Sequence, residues 1–178
     1  MKLFLVLFSI FAFSVAWATE VDLAKSQFEW LGTKITGKHN GMLSLKSGTV
    51  ELEKGKLKGA EFIMDMNSIT NLDQTGEWHD KFLAHMKSAD FFDVQKFPEA
   101  KLVVTKIVGD KVNADLTIKG KTNPVTFQVV QKNNEYSGVL KFDRTKFDMI
   151  YGSGNFFKNL GDKMIHDEVV VTFKVVTK

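Results

Sequence analysis

Short stretches in which apolar and polar residues alternate recur along most of this sequence, and they constrain its fold more than any other feature. In residues 112–118 every second side chain is apolar, so one face of the segment is apolar and the other is polar. A period of two is typical of half-buried antiparallel β-strands. The same pattern is found at Phe62-Met64-Met66, Val125-Phe127-Val129, Tyr136-Gly138-Leu140-Phe142 and Val169-Val171-Phe173-Val175.

Turn-forming residues separate these stretches at intervals of about ten residues. Examples are Gly55, Gly109-Asp110, Gly120 and Asn133-Asn134. Many short strands joined by tight turns predict a β-sandwich or a closed up-and-down barrel. A further strand is predicted over residues 101–108, after the boundary set by Pro98.

One segment has a helical rather than a strand period. In residues 73–88 the side chains of Trp78, Phe82, His85 and Met86 recur at helical spacing, with charged residues largely on the opposite side. We therefore predict one amphipathic helix inserted between strands in the middle of the chain. Such a helix could cover an open end of a barrel.

The first 18 residues have the three parts of a cleavable signal peptide. Lys2 supplies the positive charge, residues 3–15 form a largely apolar run, and Ala16-Trp17-Ala18 has the small-x-small form that signal peptidase recognises. We expect cleavage near Ala18 and a single domain of residues 19–178, located in the periplasm or secreted. The alternative is an uncleaved N-terminal anchor, although the run is shorter than the roughly 20 apolar residues that cross a bilayer.

Composition narrows the class of protein further. The chain contains no cysteine, so neither disulfides nor lipid attachment at a cysteine can hold the exported domain, and its stability must come from core packing. The net charge is only +3, which argues against electrostatic recognition of nucleic acid.

The predicted strands and helix direct many large apolar side chains into one interior. Two interpretations remain open: a solid core, or a barrel whose lumen is too wide to be filled and forms a tunnel for an apolar ligand. If a tunnel exists, its wall is expected to include Phe28, Trp30, Phe62, Met64, Met66, Trp78, Phe82, His85, Leu116, Ile118, Phe127, Val129, Leu140, Phe142 and Phe173.

Several motifs resemble the YceI-like family of polyisoprenoid-binding periplasmic proteins. They are residues 82–94 (FLAHMKSADFFDV) with Lys96-Phe97-Pro98, residues 114–122 (ADLTIKGKT) with Val125-Thr126-Phe127, and the closing segments 142–145 (FDRT) and 165–169 (IHDEV). The resemblance implies a lipocalin-like antiparallel barrel of about eight strands whose tunnel holds an isoprenoid lipid such as a prenyl quinone or prenyl phosphate. Residues 30–41 depart from the family pattern, so the resemblance does not define the tunnel mouth or the contacts with the lipid head group.

Two polar side chains are candidates for special roles. Arg144 is the single arginine in the chain, which suggests that its position requires a planar guanidinium. We predict a structural pairing with Asp90, Asp115 or Asp167, and the alternative is capture of a phosphate head group. His85 is predicted to be a neutral core histidine with one hydrogen-bond partner, and the alternative is donation to the polar end of a lipid.

Other chemistry has little support in the sequence. His79 and His85 are six residues apart on the predicted helix and cannot share a metal from it, so no metal site is expected. No catalytic motif is present, so we predict a binding protein with no required cofactor rather than an enzyme. Two alternatives are a secreted structural or stress-related factor with a solid core, and a helper in prenyl-quinone redox metabolism. Membrane contact would be transient, and the oligomeric state, a dimer included, is left open.

Overall fold

The computed structural model describes residues 17–178, so residues 1–16 of the predicted signal peptide lie outside the described residues. Residues 17–178 form ten strands, one α-helix and three short 3₁₀ turns. The strands are β1 (Trp17–Glu20), β2 (Gln27–Lys34), β3 (Gly37–Met42), β4 (Ser44–Glu53), β5 (Lys56–Asp65), β6 (Glu99–Val108), β7 (Lys111–Ile118), β8 (Lys121–Lys132), β9 (Glu135–Asp143) and β10 (Ile165–Val176). The helix α1 spans Gly76–Lys87, and the 3₁₀ turns span Met66–Ser68, Arg144–Phe147 and Gly161–Lys163.

All ten strands belong to one antiparallel sheet in the order β1-β4-β5-β6-β7-β8-β9-β10-β2-β3. From β4 to β10 each strand pairs with the next in sequence, which confirms the predicted mainly antiparallel β fold. The strand number exceeds the roughly eight strands that the family resemblance implies, and β1 and β3 are two strands whose sequences lack the alternating pattern. In β3 (Gly37–Met42), the sequence Gly-Lys-His-Asn-Gly contains no apolar alternation, and its pairing with β2 determines its conformation.

The sheet curls until its two sides meet near residues 20–22 and the end of β10. Val21 N donates to Gly48 O at 3.0 Å, which attaches the segment after β1 to β4. Asp22 N donates to Val176 O at 2.7 Å, and Lys178 N donates to Glu20 O at 3.0 Å, which attaches the same segment to the end of β10. Residues 20–22 therefore join both sides of the curled sheet. We call this the terminal end of the barrel.

Helix α1 covers the opposite end, which we call the helical end. Met86 is buried against Trp30, Ile69 and Phe91 in one of the core clusters. The helix is shorter than the predicted 73–88 because Thr75 is its N-cap and Ser88 ends it, with the Ser88 hydroxyl donating to His85 O at 2.8 Å. The predicted helix is thus confirmed with trimmed ends.

The ladder between β5 and β6 is incomplete. It runs from Asp65–Glu99 to Glu61–Val103, and residues 56–60 and 104–108 form no ladder pairs with each other. The ladder between β8 and β9 also stops early, but the 3₁₀ turn Arg144–Phe147 packs beside that break, where Asn123 Nδ2 donates to Lys146 O at 3.0 Å. The ladder of backbone pairs is therefore incomplete between β5 and β6.

Close packing of the chain at the helical end requires the glycine at position 41. A Cβ at Gly41 would overlap the Thr70 carbonyl oxygen and lie 2.7 Å from Trp30 Nε1, which itself donates to that oxygen. We expect Gly41→Ala to lower the free energy of unfolding by about 1–3 kcal/mol, because β3 and residues 69–72 must separate. Urea unfolding measures the change. Gly37→Ala in the same strand is the matched control, since no atom lies within 4 Å of its Cβ, and an equal loss there would contradict the steric explanation.

Candidate ligand-binding cavity

A cavity runs through the interior of the curled sheet between the helical and terminal ends. Its volume is about 130 Å³, and the atom-free space between its walls, including its opening to solvent, is about 1100 Å³. Trp30, Ile69 and Phe92 line it near the helical end, and Val50 and Val175 line it near the terminal end. The side chains therefore do not completely fill the interior.

The wall of the cavity is almost entirely apolar. Among the lining residues within the described part of the chain, those with polar side-chain atoms are Trp30, Lys101 and Tyr136. Trp30 Nε1 donates to Thr70 O at 3.1 Å, and Lys101 Nζ pairs with Glu61 Oε1 at 2.8 Å. A long apolar molecule suits such a wall better than a polar metabolite, because the wall offers few partners for buried polar groups.

Most of the side chains predicted to form a tunnel wall do line this cavity. They lie at inward positions of the strands or at the strand ends, as the alternation predicts. Those found in the wall are Phe28, Trp30, Phe62, Met64, Met66, Leu116, Ile118, Phe127, Val129, Leu140, Phe142 and Phe173. Whether they contact a ligand remains a prediction.

Three predicted wall residues on α1 lie outside the cavity. Trp78 is 72% exposed at the start of the helix, where Lys81 Nζ lies 5.4 Å from the centre of its ring. Phe82 packs behind Trp30, with ring centroids 6.2 Å apart. His85 is a partly exposed surface residue rather than a core histidine, and its one side-chain partner is Asp90, at 3.0 Å from Nε2. The apolar stripe of the helix therefore covers the end of the barrel without entering it.

Other lining residues were missed by the sequence analysis. Leu102 and Val104 on β6, and Val171 and Val175 on β10, could have been found by extending the alternation along their strands. Phe92 lies in the irregular segment after α1, where no periodicity identifies an inward side chain. Further lining residues are Leu43, Val50, Leu57, Ala60, Ile69, Ala100, Val112, Tyr136 and Val169.

Arg144 is buried, with 2% of its surface exposed, but it is not one of the residues that line the cavity. Its Nε donates to His166 O and its Nη2 to Ile165 O, both at 3.1 Å, and its Nη1 donates to Met149 O. Nη2 also lies 3.2 Å from Asp167 Oδ1. The guanidinium thus fastens the 3₁₀ turn Arg144–Phe147 and the loop after it to the start of β10.

Of the three carboxylates predicted to pair with Arg144, Asp167 is the one that does so. Its Oδ2 accepts hydrogen bonds from Ser153 Oγ at 2.9 Å and from Asn155 Nδ2 at 2.7 Å. Burial lowers the pKa of the Arg144 guanidinium, and the nearby charges of Asp167 and Asp143 oppose that effect. Asp90 instead contacts His85, and Asp115 is exposed on β7. Arg144 does not line the cavity, and its role as a head-group site remains an alternative prediction.

A carboxylate at the helical end holds β3 and the chain before α1 together. Asp73 accepts hydrogen bonds from Asn40 N at 3.0 Å, His39 Nδ1 at 2.7 Å and Asn71 Nδ2 at 2.6 Å. Burial by itself raises the pKa of Asp73, but these hydrogen bonds outweigh it and hold the pKa below its usual 3.8. His39 also packs against Phe82 of α1, with ring centroids 4.6 Å apart.

This arrangement predicts a pH-dependent contribution to stability. Because the pKa of Asp73 is lower in the folded state, its stabilisation is present above pH 4 and is lost as the pH falls through the folded-state value. We expect Asp73→Asn to lower the free energy of unfolding by roughly 1 kcal/mol at pH 7 and to have little effect near pH 2. Urea unfolding at both pH values measures this. Asp80→Asn, at an exposed position, is the control, and a pH-independent loss in Asp73→Asn would contradict the linkage.

The described residues show neither a metal site nor a membrane-spanning helix. Residues 17–178 contain no group of three or more histidine, aspartate and glutamate side chains placed to hold a metal ion. Within the same residues, no helix combines the length and apolar character needed to span a bilayer.

Comparison with known families gives one match that covers nearly all of the described chain. The family model described as "YceI-like domain" matches residues 19–177. Among curated proteins, a UPF0312 protein of Pseudomonas putida is 53% identical over 49 residues, which is 25% of this chain and 26% of that protein. A UPF0312 protein of Staphylococcus aureus is 46% identical over 57 residues, 32% of this chain and 30% of that protein. The chain thus spans less than a third of the length of these relatives.

Solved structures share the fold. Burkholderia cenocepacia BcnA has a TM-score of 0.67 at 26% sequence identity, covering 89% of this chain and 99% of that chain. A polyisoprenoid binding domain from Saccharophagus degradans has a TM-score of 0.61 at 17% identity, covering 89% and 97%. The curled antiparallel barrel with a helix at one end is therefore the architecture of these proteins as well.

Proposed function

Because this chain belongs to the family of YceI-like domains, we propose that it is a binding protein that holds an isoprenoid-type lipid in the cavity of its barrel. One observation carries the proposal: the interior contains a long apolar cavity where a solid core would otherwise be. An apolar chain in this cavity would be removed from water along its length. The same observation argues against the alternative of a solid-core structural factor.

Burial of hydrocarbon alone could supply the binding energy. Each buried carbon contributes about 0.8 kcal/mol, so an isoprene unit of five carbons contributes roughly 4 kcal/mol before ordering costs. Micromolar binding requires about 8 kcal/mol. A few isoprene units inside the cavity would therefore suffice, without a charged anchor in the wall.

The ligand class is supported by the fold and by one neighbour. The protein from Saccharophagus degradans is described as a polyisoprenoid binding domain, and our proposal extends that ligand class to this chain. A branched, flexible isoprenoid also suits a wall of phenylalanine and methionine side chains, because these adapt to irregular apolar surfaces.

The predicted signal peptide suggests the location in which the proposed lipid binding would be used. We propose that the mature domain works in the periplasm or outside the cell, next to a membrane, where an isoprenoid chain needs a carrier to pass through water. Transport or storage of the lipid follows from this placement, with transient membrane contact during loading and release. The incomplete ladder between β5 and β6 is one route by which the lipid could enter, since Leu57 and Val104 line the cavity and lie in the parts of these strands that form no ladder pairs with each other.

Organic extraction of the protein purified from its native cell envelope tests the proposal. We expect mass spectrometry to find a prenyl compound in near-stoichiometric amount. The Phe127→Asp variant, purified in parallel, shows how much lipid adheres to the outside of the protein. Equal amounts of lipid from both proteins, or none from either, would contradict the proposed function.

A further inference from the structure

One polar atom in the cavity region has no hydrogen-bond partner among the described residues. Tyr136 lies on β9 at an inward position, lines the cavity and is 4% exposed. Its hydroxyl oxygen is buried, and no hydrogen-bond partner for it exists among residues 17–178. The chain has one other tyrosine, Tyr151, which is 46% exposed.

A buried hydroxyl without a partner is costly. Leaving such a group unsatisfied costs about 1–3 kcal/mol, and phenylalanine would fill nearly the same space without that cost. Almost all buried polar groups in folded proteins are hydrogen-bonded, so this exception requires an explanation. Since residues 17–178 supply no acceptor, the acceptor must come from a molecule beside the ring, which is either an ordered water or a ligand that occupies the cavity.

The surroundings of Tyr136 restrict what that acceptor can be. Tyr136 packs in a cluster of apolar residues at the terminal end, with Val21, Val50, Ala60 and Val175 among them. Among residues 17–178 the one cation in the cavity wall is Lys101, whose Nζ is paired with Glu61. A phosphate or carboxylate placed beside Tyr136 would be a buried anion without a counter-charge, which is far less favourable than a neutral oxygen.

We propose that Tyr136 donates a hydrogen bond to a neutral oxygen atom of the bound isoprenoid, so that the preferred ligands are prenyl ketones, quinones or alcohols rather than prenyl phosphates. This inference rests on the proposed function and narrows its ligand class. It also sets the direction of the ligand, because the oxygen-bearing end then lies at the terminal end of the barrel and the hydrocarbon extends toward α1. Burial raises the pKa of the Tyr136 phenol, which keeps it protonated as a donor.

The test uses three probes with the same branched chain and the delipidated full-length protein. The first is geranylgeranylacetone, a ketone whose oxygen only accepts hydrogen bonds. The second is the hydrocarbon in which a methylene replaces that carbonyl, and the third is geranylgeranyl phosphate. Affinities are measured for the unaltered protein, for Tyr136→Phe and for Tyr151→Phe, which removes the other tyrosine hydroxyl outside the cavity and serves as the matched control.

We expect the ketone to bind the unaltered protein about five- to tenfold more tightly than it binds the Tyr136→Phe variant. This difference in affinity corresponds to one hydrogen bond. Affinity for the hydrocarbon should be the same in all three proteins, and affinity for the phosphate should not depend on Tyr136. The infrared carbonyl band of the bound ketone should shift to lower wavenumber in the unaltered protein and in Tyr151→Phe, but not in Tyr136→Phe. Thermal melting should show that Tyr136→Phe is at least as stable as the unaltered protein.

Other outcomes distinguish failure of the Tyr136 inference from failure of the proposed lipid-binding function. If ketone and hydrocarbon bind equally well and Tyr136→Phe changes neither, the role of Tyr136 is wrong while the lipid-binding function stands. If the phosphate binds most tightly and loses affinity in Tyr136→Phe, the preference for a neutral oxygen is wrong. If none of the probes binds the unaltered protein, both the function and the inference fail.

Discussion

Replacing Arg144 by methionine is expected to lower the free energy of unfolding by about 3–5 kcal/mol, since one partner of a buried ion pair is removed. Methionine has a similar length but no donors. The carbonyl oxygens of Met149, Ile165 and His166 would lose their donor, and Asp167 would keep a charge without its counter-ion. Chemical denaturation followed by circular dichroism measures the loss.

The chain offers a matched control on the same pair of strands. Lys141 Nζ on β9 lies 3.0 Å from Glu168 Oε1 on β10, and both side chains are more than half exposed. We expect Lys141→Met to change the free energy of unfolding by less than 1 kcal/mol, because exposed ion pairs contribute little. A similar loss in both variants would mean that Arg144 stabilises the protein by strand pairing in general rather than by its buried contacts.

A lysine at position 144 tests whether charge alone is sufficient. Its single ammonium group cannot reach the separated oxygens that the planar guanidinium spans, so we expect Arg144→Lys to remain less stable than the unaltered protein by roughly 2 kcal/mol. Lipid content measured on the same preparations addresses the head-group alternative. Loss of lipid at unchanged stability would contradict the structural role of Arg144.

The alternation in the sequence predicts the strands and most of the cavity wall because it is a local signal. An inward position such as Ile118 or Phe127 follows directly from the pleat of its own strand. Strand β3 and the ten-stranded closure could not be predicted in this way, because Gly41 and its neighbours are held by pairing with β2 and by contact with Thr70. These contacts join residues distant in sequence.

The helix and the polar residues show a second limit. Helical spacing placed Trp78 on the same apolar stripe as Phe82 and Met86. The stripe does not indicate which part of the helix contacts the barrel, and Trp78 lies in a part that is exposed to solvent. The importance of Arg144 could be inferred from its being the single arginine, whereas the choice of Asp167 required the fold. The isolation of the Tyr136 hydroxyl is a property of its three-dimensional surroundings, and no sequence pattern indicates it.

Aspartate at position 127 is expected to remove lipid binding almost completely. Phe127 lies on β8 in the cavity wall, where its ring packs edge-on against Phe173 with centroids 5.6 Å apart. A carboxylate there would have to be desolvated when an apolar chain enters, which costs several kcal/mol and lowers affinity roughly 100-fold or more. Ile118→Asp, on the neighbouring strand, should have the same effect. Lipid retained after purification, and binding of an isoprenoid hydrocarbon, measure it.

The opposite face of the same strand provides the control that separates binding from folding. Val130 is 66% exposed on β8, so Val130→Asp introduces the same charge in the same strand without entering the cavity. We expect this variant to retain lipid like the unaltered protein. Since the introduced carboxylate can be hydrated in a cavity that opens to solvent, Phe127→Asp should still fold with native circular dichroism while losing the lipid. Undiminished lipid in a folded Phe127→Asp variant would mean that the bound chain follows a path that avoids β8, because an ionised carboxylate and a hydrocarbon cannot share this cavity.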